Sequence, residues 1–251
     1  MNREATDLAV VRHITYETLG STNAEALALA RAGERGPLWI TAAMQNAGRG
    51  RRGSQWVSPP GNLHATLLLS EPSRPVQAPQ LSFVAALALY DAVAACAPRL
   101  RPLLHVKWPN DLLIERAKVA GILVEGESAP AFAVAIGIGV NCAMHPDDAG
   151  YPATDLAASG ALVVPDALFS ALSVAMAQRV VQWDRGQGFA TIRTDWLKRA
   201  AGLGKPMQVR LPGRELSGRF DGLDQNGHLL LKQDAGIATI TAGEVFGFGE
   251  R

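Results

Sequence analysis

His105-Val106-Lys107-Trp108-Pro109-Asn110-Asp111-Leu112-Leu113-Ile114, then Lys118-Val119-Ala120-Gly121-Ile122-Leu123-Val124-Glu125, is the stretch whose reading decides the fold. Both runs have the apolar and β-branched content of strands, and Glu115-Arg116-Ala117 between them reads as a hairpin-like turn. Pro109 removes a ladder donor, which confines its segment to a sheet edge or a bulge. A third apolar run over residues 131–138 follows closely and ends Gly137-Ile138-Gly139-Val140-Asn141. Strands joined this tightly pair antiparallel, because parallel neighbours need a long crossover. The region predicts an antiparallel or mixed sheet rather than alternating βαβ units. Its GxG lacks the third glycine and the helix of a dinucleotide fingerprint.

Outward toward the N-terminus, residues 13–19 read as a strand, halted by Gly20-Ser21-Thr22-Asn23. An alanine- and leucine-rich helix follows over 24–32, with Ser21, Thr22 or Asn23 as its N-cap. Residues 38–44 and 63–69 are further strands, with Gln45 at the exit of the first. Residues 72–79 read as loop and 80–97 as a buried helix that takes Cys96 into the core. Downstream, 165–181 is an amphipathic helix with Pro165 near its first turn. A helix over 189–201 is stopped by Gly202 and Gly204. From Lys205 the texture changes to short alternating strands at 207–211, 215–220, 228–232 and 237–241. Pro212-Gly213, Asn226-Gly227 and Asp234-Ala235-Gly236 separate them as turns, and Asn-Gly is a strong hairpin signal. The expected architecture is α+β: a mixed or antiparallel sheet with helices over residues 1–203, then a small SH3-like barrel over 204–251.

The chemistry concentrates in Gln45-Asn46-Ala47-Gly48-Arg49-Gly50-Arg51-Arg52-Gly53-Ser54-Gln55-Trp56. Arginine offers a planar fork of donors matched to phosphate and carboxylate oxygens. Glycine permits close backbone approach. A basic tether for nucleic acid has the same composition, but this run is short, single and set between two strands. A mobile loop that folds over an anion is the reading it favours. Lys118 stands at the mouth of its strand, where a lone lysine is ordinarily a surface residue.

Global properties exclude several classes. A net charge of +1 gives the chain no overall attraction to nucleic acid or anionic membranes. Cys96 and Cys142 form no CxxC or zinc-type spacing, which fits a reducing compartment. Residues 1–11 carry Arg3, Glu4 and Asp7 without an apolar core, so no signal peptide is expected. No stretch is expected to approach the roughly 20 apolar residues of a membrane span. The chain reads as cytoplasmic.

With these segments in order, the sequence resembles the biotin protein ligases. The resemblance rests on Gly-Ser-Thr-Asn (20–23), the arginine–glycine run (45–53) with Trp56, Lys-Trp-Pro-Asn-Asp (107–111), Lys-Val-Ala-Gly-Ile-Leu-Val-Glu (118–125) and Gly-Ile-Gly-Val-Asn (137–141). Ser54 stands where the family often has a further arginine. Too few residues precede the strand at 13 for the winged helix of members that also repress transcription, so a ligase without the DNA-binding domain is expected.

The resemblance implies a catalytic domain like that of class II synthetases and a reaction in two steps. Biotin is activated by ATP, with Mg²⁺ carried by the nucleotide, to biotinyl-5'-AMP. The acyl group then passes to a lysine of a biotin carboxyl carrier protein, a subunit of acetyl-CoA carboxylase. It also implies roles. Ser21, Thr22, Asn23, Gln45, Arg49, Gly50, Arg51 and Lys118 lie by biotin; Arg49, Arg52, Trp56, Lys107, Asn110 and Asn141 lie by ATP. Lys118, Arg51 and Asp111 serve catalysis, Lys118 bridging the biotin carboxyl and the α-phosphate. Asp111 is a general base for the carrier lysine or a structural part of its turn. Metal ligands are not named by the sequence. No DNA and no membrane are expected as partners, and a homodimer is admitted. The nearest alternative is a lipoate or octanoate ligase or transferase of related fold, the transferase requiring a reactive cysteine.

Overall fold

In Leu63-His64-Ala65-Thr66-Leu67-Leu68-Leu69-Ser70, alternate side chains point to opposite faces of a sheet, and all but the last are buried, so both faces have to be covered. The computed structural model describes residues 11–128 and 130–247. The leader-free reading of residues 1–11 thus falls outside the described residues except at Val11. The segment above is β3 (Leu63–Ser70), flanked by β2 (Leu38–Gln45) and β7 (Ala133–Val140) in a seven-stranded sheet. Beyond β2 lies β1 (Arg12–Leu19); beyond β7 lie β6 (Ala117–Glu127), β5 (Asp111–Ile114) and β4 (Leu104–Lys107). β1 and β2 are parallel, joined by the crossover helix α1 (Thr22–Arg31), and all other pairs are antiparallel. The sheet is mixed, and Pro109 sits in the turn between the edge strand β4 and β5, as a missing ladder donor requires.

One face packs against α2 (Leu81–Cys96), α3 (Pro165–Trp183) and α4 (Phe189–Leu197), using Leu63, Ala65, Leu67 and Leu69. The stretch Pro75–Cys96 corrects one expectation, since its 22 residues are long and apolar enough to cross a membrane by length and composition. Most of it is buried against the sheet and α3, and it serves as a core helix. Its first turn is a 3-10 segment, Pro75–Gln80, where loop was expected. α4 also ends earlier than its sequence suggested. The chain leaves it to pair with the edge strand, Val106 N donating to Arg199 O (3.0 Å) and Ala201 N to Val106 O (2.8 Å). That covers the unpaired backbone of β4.

The opposite face is covered only in part. Ala26 and Ala30 of α1 pack on Leu38, Ile40, Leu68, Ala133 and Ala135. Past the start of this helix the same face carries His64, Thr66, Gly137 and Gly139, and there the layer opens into a cleft.

The second sheet is antiparallel, in order β11-β10-β9-β8-β12: β8 Pro206–Leu211, β9 Arg214–Leu223, β10 Leu229–Gln233, β11 Gly236–Ile240 and β12 Glu244–Phe246. Asn226-Gly227 is not a two-residue hairpin. It lies in a loop closed by Asp224, whose Oδ1 accepts from Asn226 N (2.8 Å) and His228 N (2.9 Å). Gly227, at φ +89°, packs on the rings of Phe83 and Phe189, where a Cβ would come within 2.8 Å of Phe83. Its carbonyl accepts from the Trp108 indole at 3.1 Å, joining the second sheet to the turn before β5. Trp108→Phe leaves that carbonyl unpaired in an apolar setting and should lower stability by about 1–3 kcal/mol in urea denaturation. A midpoint equal to the parent's would show that the bond contributes nothing.

Candidate active site

Two strand positions without side chains make the floor. Cβ atoms at Gly137 and Gly139 would lie 2.3 Å from Asn23 Oδ1 and 2.3 Å from Trp56 Nε1 respectively. Asn23 is held by its own hydrogen bonds and cannot give way, and at both sites glycine allows the close approach. Gly121 on β6 completes the floor, 3.3 Å in the same sense from Trp56 and Lys118. Above it lies a cleft of about 680 Å³. Every residue singled out in the sequence lines this cleft: Ser21, Thr22, Asn23, Gln45, Arg49, Gly50, Arg51, Arg52, Trp56, Lys107, Asn110, Asp111, Lys118 and Asn141. Gly243, Glu244 and Val245 of the second sheet line it too.

One end is uncharged. Ser21 is the N-cap of α1, its Oγ accepting from Ala24 N at 3.4 Å and keeping its own proton to donate. Thr22 N and Oγ1 both donate to Gln45 Oε1 (2.8 and 3.1 Å), and Gln45 Nε2 donates to Ser58 Oγ (2.9 Å). Thr66 Oγ1 lies 2.8 Å from Thr22 Oγ1 and donates to Asn23 Oδ1 at 2.7 Å. These buried hydroxyls and amides hold one another in fixed orientations, which suits a neutral, hydrogen-bonding ring.

The other end is cationic. Lys118 Nζ lies 2.8 Å from Asp111 Oδ1, an ion pair without hydrogen-bond alignment, and between the rings of Trp56 (5.4 Å) and Tyr151 (5.2 Å). Aromatic faces favour a cation placed in this way. Lys107 Nζ is 3.7 Å from Asp111 Oδ2, so one carboxylate sits between two ammonium groups. Burial pushes the Lys107 amine below its ordinary pKa; Asp111 opposes this and the Lys118 charge adds to it. Arg51 donates to Asn110 Oδ1 and Gly243 O, both at 3.4 Å, and among the described residues it has no carboxylate in hydrogen-bond reach. Asn110 and Asn141 are anchored through their amides to Ile122 O (2.6 Å) and Thr154 O (3.0 Å).

The loop between these ends, a mobile segment by its sequence, has no apolar anchor, but it is not without local order. It is a hairpin: Trp56 N donates to Gly48 O (2.9 Å) and Gly50 N to Ser54 O (2.7 Å), with Arg52 left-handed at φ +56°. Arg49 reaches Glu125 Oε2 at 3.2 Å. The sequence reading missed Tyr151, which lines the cleft, and Ser58, Thr66 and Glu125, which hold lining residues in place. It also missed His64, whose Nδ1, like Trp56 Nε1, is buried without a partner. A signal existed for two of these: His64 and Thr66 alternate as polar residues along an otherwise apolar core strand.

Asp111→Asn removes the charge between two poorly solvated ammonium groups. It should cost about 3 kcal/mol of stability at neutral pH, as breaking a buried pair does. A loss below roughly 1 kcal/mol, the range of exposed pairs, would show that solvent already screens the lysines.

Comparison with known proteins gives a consistent picture. The chain matches the Biotin/lipoate A/B protein ligase family over residues 20–141 and the Biotin protein ligase C terminal domain over residues 202–246. It is 48% identical over 235 residues to the biotin--[acetyl-CoA-carboxylase] ligase of Paracoccus denitrificans, covering 90% of this chain and 96% of that protein. It is 31% identical over 243 residues to the bifunctional ligase/repressor BirA of Bacillus subtilis, covering 93% and 74% respectively. Its fold is similar to that of the biotin protein ligase from Aquifex aeolicus in complex with biotin and ATP. That likeness has a TM-score of 0.80 at 22% identity and covers 94% of this chain and 97% of the other.

Proposed function

The chain belongs to the biotin protein ligases, and on that premise we propose that this cleft carries both steps of biotin transfer, from ATP-dependent activation to the carrier lysine. The observation that supports this most is the polarity of the cleft: a neutral hydrogen-bonding wall at one end and a cationic end around Lys118 at the other. Biotin has the matching shape, an uncharged ureido ring joined by an apolar tail to a carboxylate.

In the first step a carboxylate oxygen of biotin attacks the α-phosphorus of ATP, and the bond to the β-phosphate oxygen breaks. Pyrophosphate leaves and biotinyl-5'-AMP remains. Two anions must meet, so positive charge has to offset their repulsion and stabilise the phosphoryl oxygens. Lys118 and Arg51 are assigned that work, and Arg49, Arg52, Trp56, Lys107, Asn110 and Asn141 the nucleotide side. Ser21, Thr22 and Gln45 face the ureido ring, with Gly50 giving backbone access. A site built on such bonds rejects acids that cannot make them. Among the described residues no group of three His, Cys, Asp or Glu side chains could cage a metal. A Mg²⁺ held chiefly by the phosphates, which needs one or two carboxylates at most, is the form that fits.

In the second step the carrier lysine amine attacks the acyl carbon, AMP leaves and an amide forms. The waiting mixed anhydride has to be kept from water, a task for the arginine–glycine hairpin and Trp56. The resemblance offers Asp111 two roles, general base and structural part of its turn. With an ammonium group on each side, it fits better as the holder of Lys107 and Lys118. The boundary between the catalytic unit and the C-terminal module is placed at residue 203. That module helps seat the nucleotide or carrier, a role supported by the Gly243 contact to Arg51. Every residue assigned to the reaction lines the cleft of a single chain, and the homodimer that the resemblance admits stands beside this reading. The carrier is a biotin-accepting carboxylase subunit, and the unpaired Cys96 and Cys142 suit the reducing cytoplasm.

An octanoyl or lipoyl transferase is disfavoured by its need for a thiolate. Burial pushes the Cys142 thiol up to about 11 and raises that of Cys96, which is half-buried rather than fully in the core. Exchange of labelled pyrophosphate into ATP, with biotin, lipoate and octanoate in parallel, tests the reading. Exchange should depend on biotin, and equal rates with lipoate would overturn the assignment. Lys118→Ala should slow biotin-dependent exchange by at least about a hundredfold, the size seen for single oxyanion donors. A loss of only severalfold would remove Lys118 from the chemistry.

A further inference from the structure

We infer that Glu125 is a positioning residue coupling the seat of the acid substrate to the arginine–glycine hairpin; what the acid is rests on the proposed ligase reading. One carboxylate oxygen, Oε2, accepts from Asn23 Nδ2 at 2.9 Å and from Arg49 Nη2 at 3.2 Å. Asn23 is buried, and the second bond of its Nδ2 goes to Leu123 O at 3.1 Å. Its Oδ1 is turned onto Thr66, against the bare backbone of Gly137. Both amide protons are therefore spent within the protein. Asn23 is part of the wall rather than a contact offered to a ligand.

This changes what Glu125 does. Arg49 is 46% exposed, and an arginine so placed ordinarily gains little from a carboxylate that moves with solvent. Here the carboxylate is oriented by a buried amide, which is itself locked to strand β3. The chain of contacts runs Thr66 to Asn23 to Glu125 to Arg49, from the core of the sheet to the hairpin. Whatever shifts Asn23 shifts the anchor of Arg49. Glu125 touches neither the cleft floor nor the cations around Lys118, so it acts through others.

Limited trypsin digestion of the full ligand-free chain, scored only for cleavage after Arg51 and Arg52, tests the coupling. Glu125→Gln should raise cleavage about fivefold, the most that a partly exposed pair shifts an equilibrium, with the urea midpoint unchanged. Arg49→Gln should do the same, and the double variant should add nothing. Unchanged cleavage, or two effects that multiply independently, would overturn the proposal whatever the protein acylates. As a second readout, biotinyl-AMP formed on Glu125→Gln should escape about fivefold faster than from the parent. Adenylate retained equally by both would also overturn it. Coupled cleavage in a chain that forms no adenylate with biotin would support the coupling and sink the ligase reading instead.

Discussion

The absence of side chains at Gly137 and Gly139 is the constraint on which the rest of the site depends. Strand β7 is buried on both faces, and most of its residues are apolar and close-packed. At these two positions the backbone itself is the surface, and Asn23 and Trp56 lie directly on it. That places the start of α1 and the end of the hairpin at fixed heights above the sheet. A methyl group at either site would lift one wall of the cleft by more than the tolerance of a hydrogen bond. The distances among Thr22, Gln45 and Thr66 follow from the first contact. The pocket for the Lys118 amine, between two rings, follows from the second.

Charge is arranged with the same economy. Lys107 and Lys118 share Asp111, Arg49 has Glu125, and Arg51 donates to the neutral oxygens of Asn110 and Gly243. Bringing further anions into the cleft therefore exploits positive charge that is already present and already oriented. Little reorganisation is left for the moment of reaction, which is how preorganised sites gain their advantage. The cost is borne by the folded state, where cations crowd at one end of the cleft.

Much of this was legible in the sequence, for identifiable reasons. The apolar runs and tight turns at 105–125 announced a mixed or antiparallel sheet, and the short strands after Lys205 announced a second module. The candidate site residues came from motifs that carry the family resemblance, and all of them line the same cleft. What stayed hidden depends on pairing across the fold. Glu125 reads as the polar end of a strand until Asn23 and Arg49, far away in the chain, converge on it. Tyr151 lies in an irregular stretch whose relation to Lys118 is set by backbone bonds from Lys118 N to Pro152 O and from Thr154 N to Lys118 O. The early end of α4 came from the need of β4 for a neighbour, a demand invisible in the helix's own residues. Asn226-Gly227 misled because Asp224 offered local hydrogen bonds that favoured a wider loop over a tight turn.

The seat of Gly227 on Phe83 and Phe189, with the Trp108 bond beside it, bears on how the molecule comes apart. Phe83 belongs to the central helix, Phe189 to the last helix, and Trp108 to the turn that carries Lys107, Asn110 and Asp111. The small module is thus fastened at the place where several parts of the larger one already meet. Separating them would bare two aromatic rings and an indole at once. Partial opening that frees the module alone is then an expensive excursion, and the two sheets belong to one cooperative unit of unfolding. The same fastening makes the end of the chain a poor place to trim in a smaller engineered enzyme.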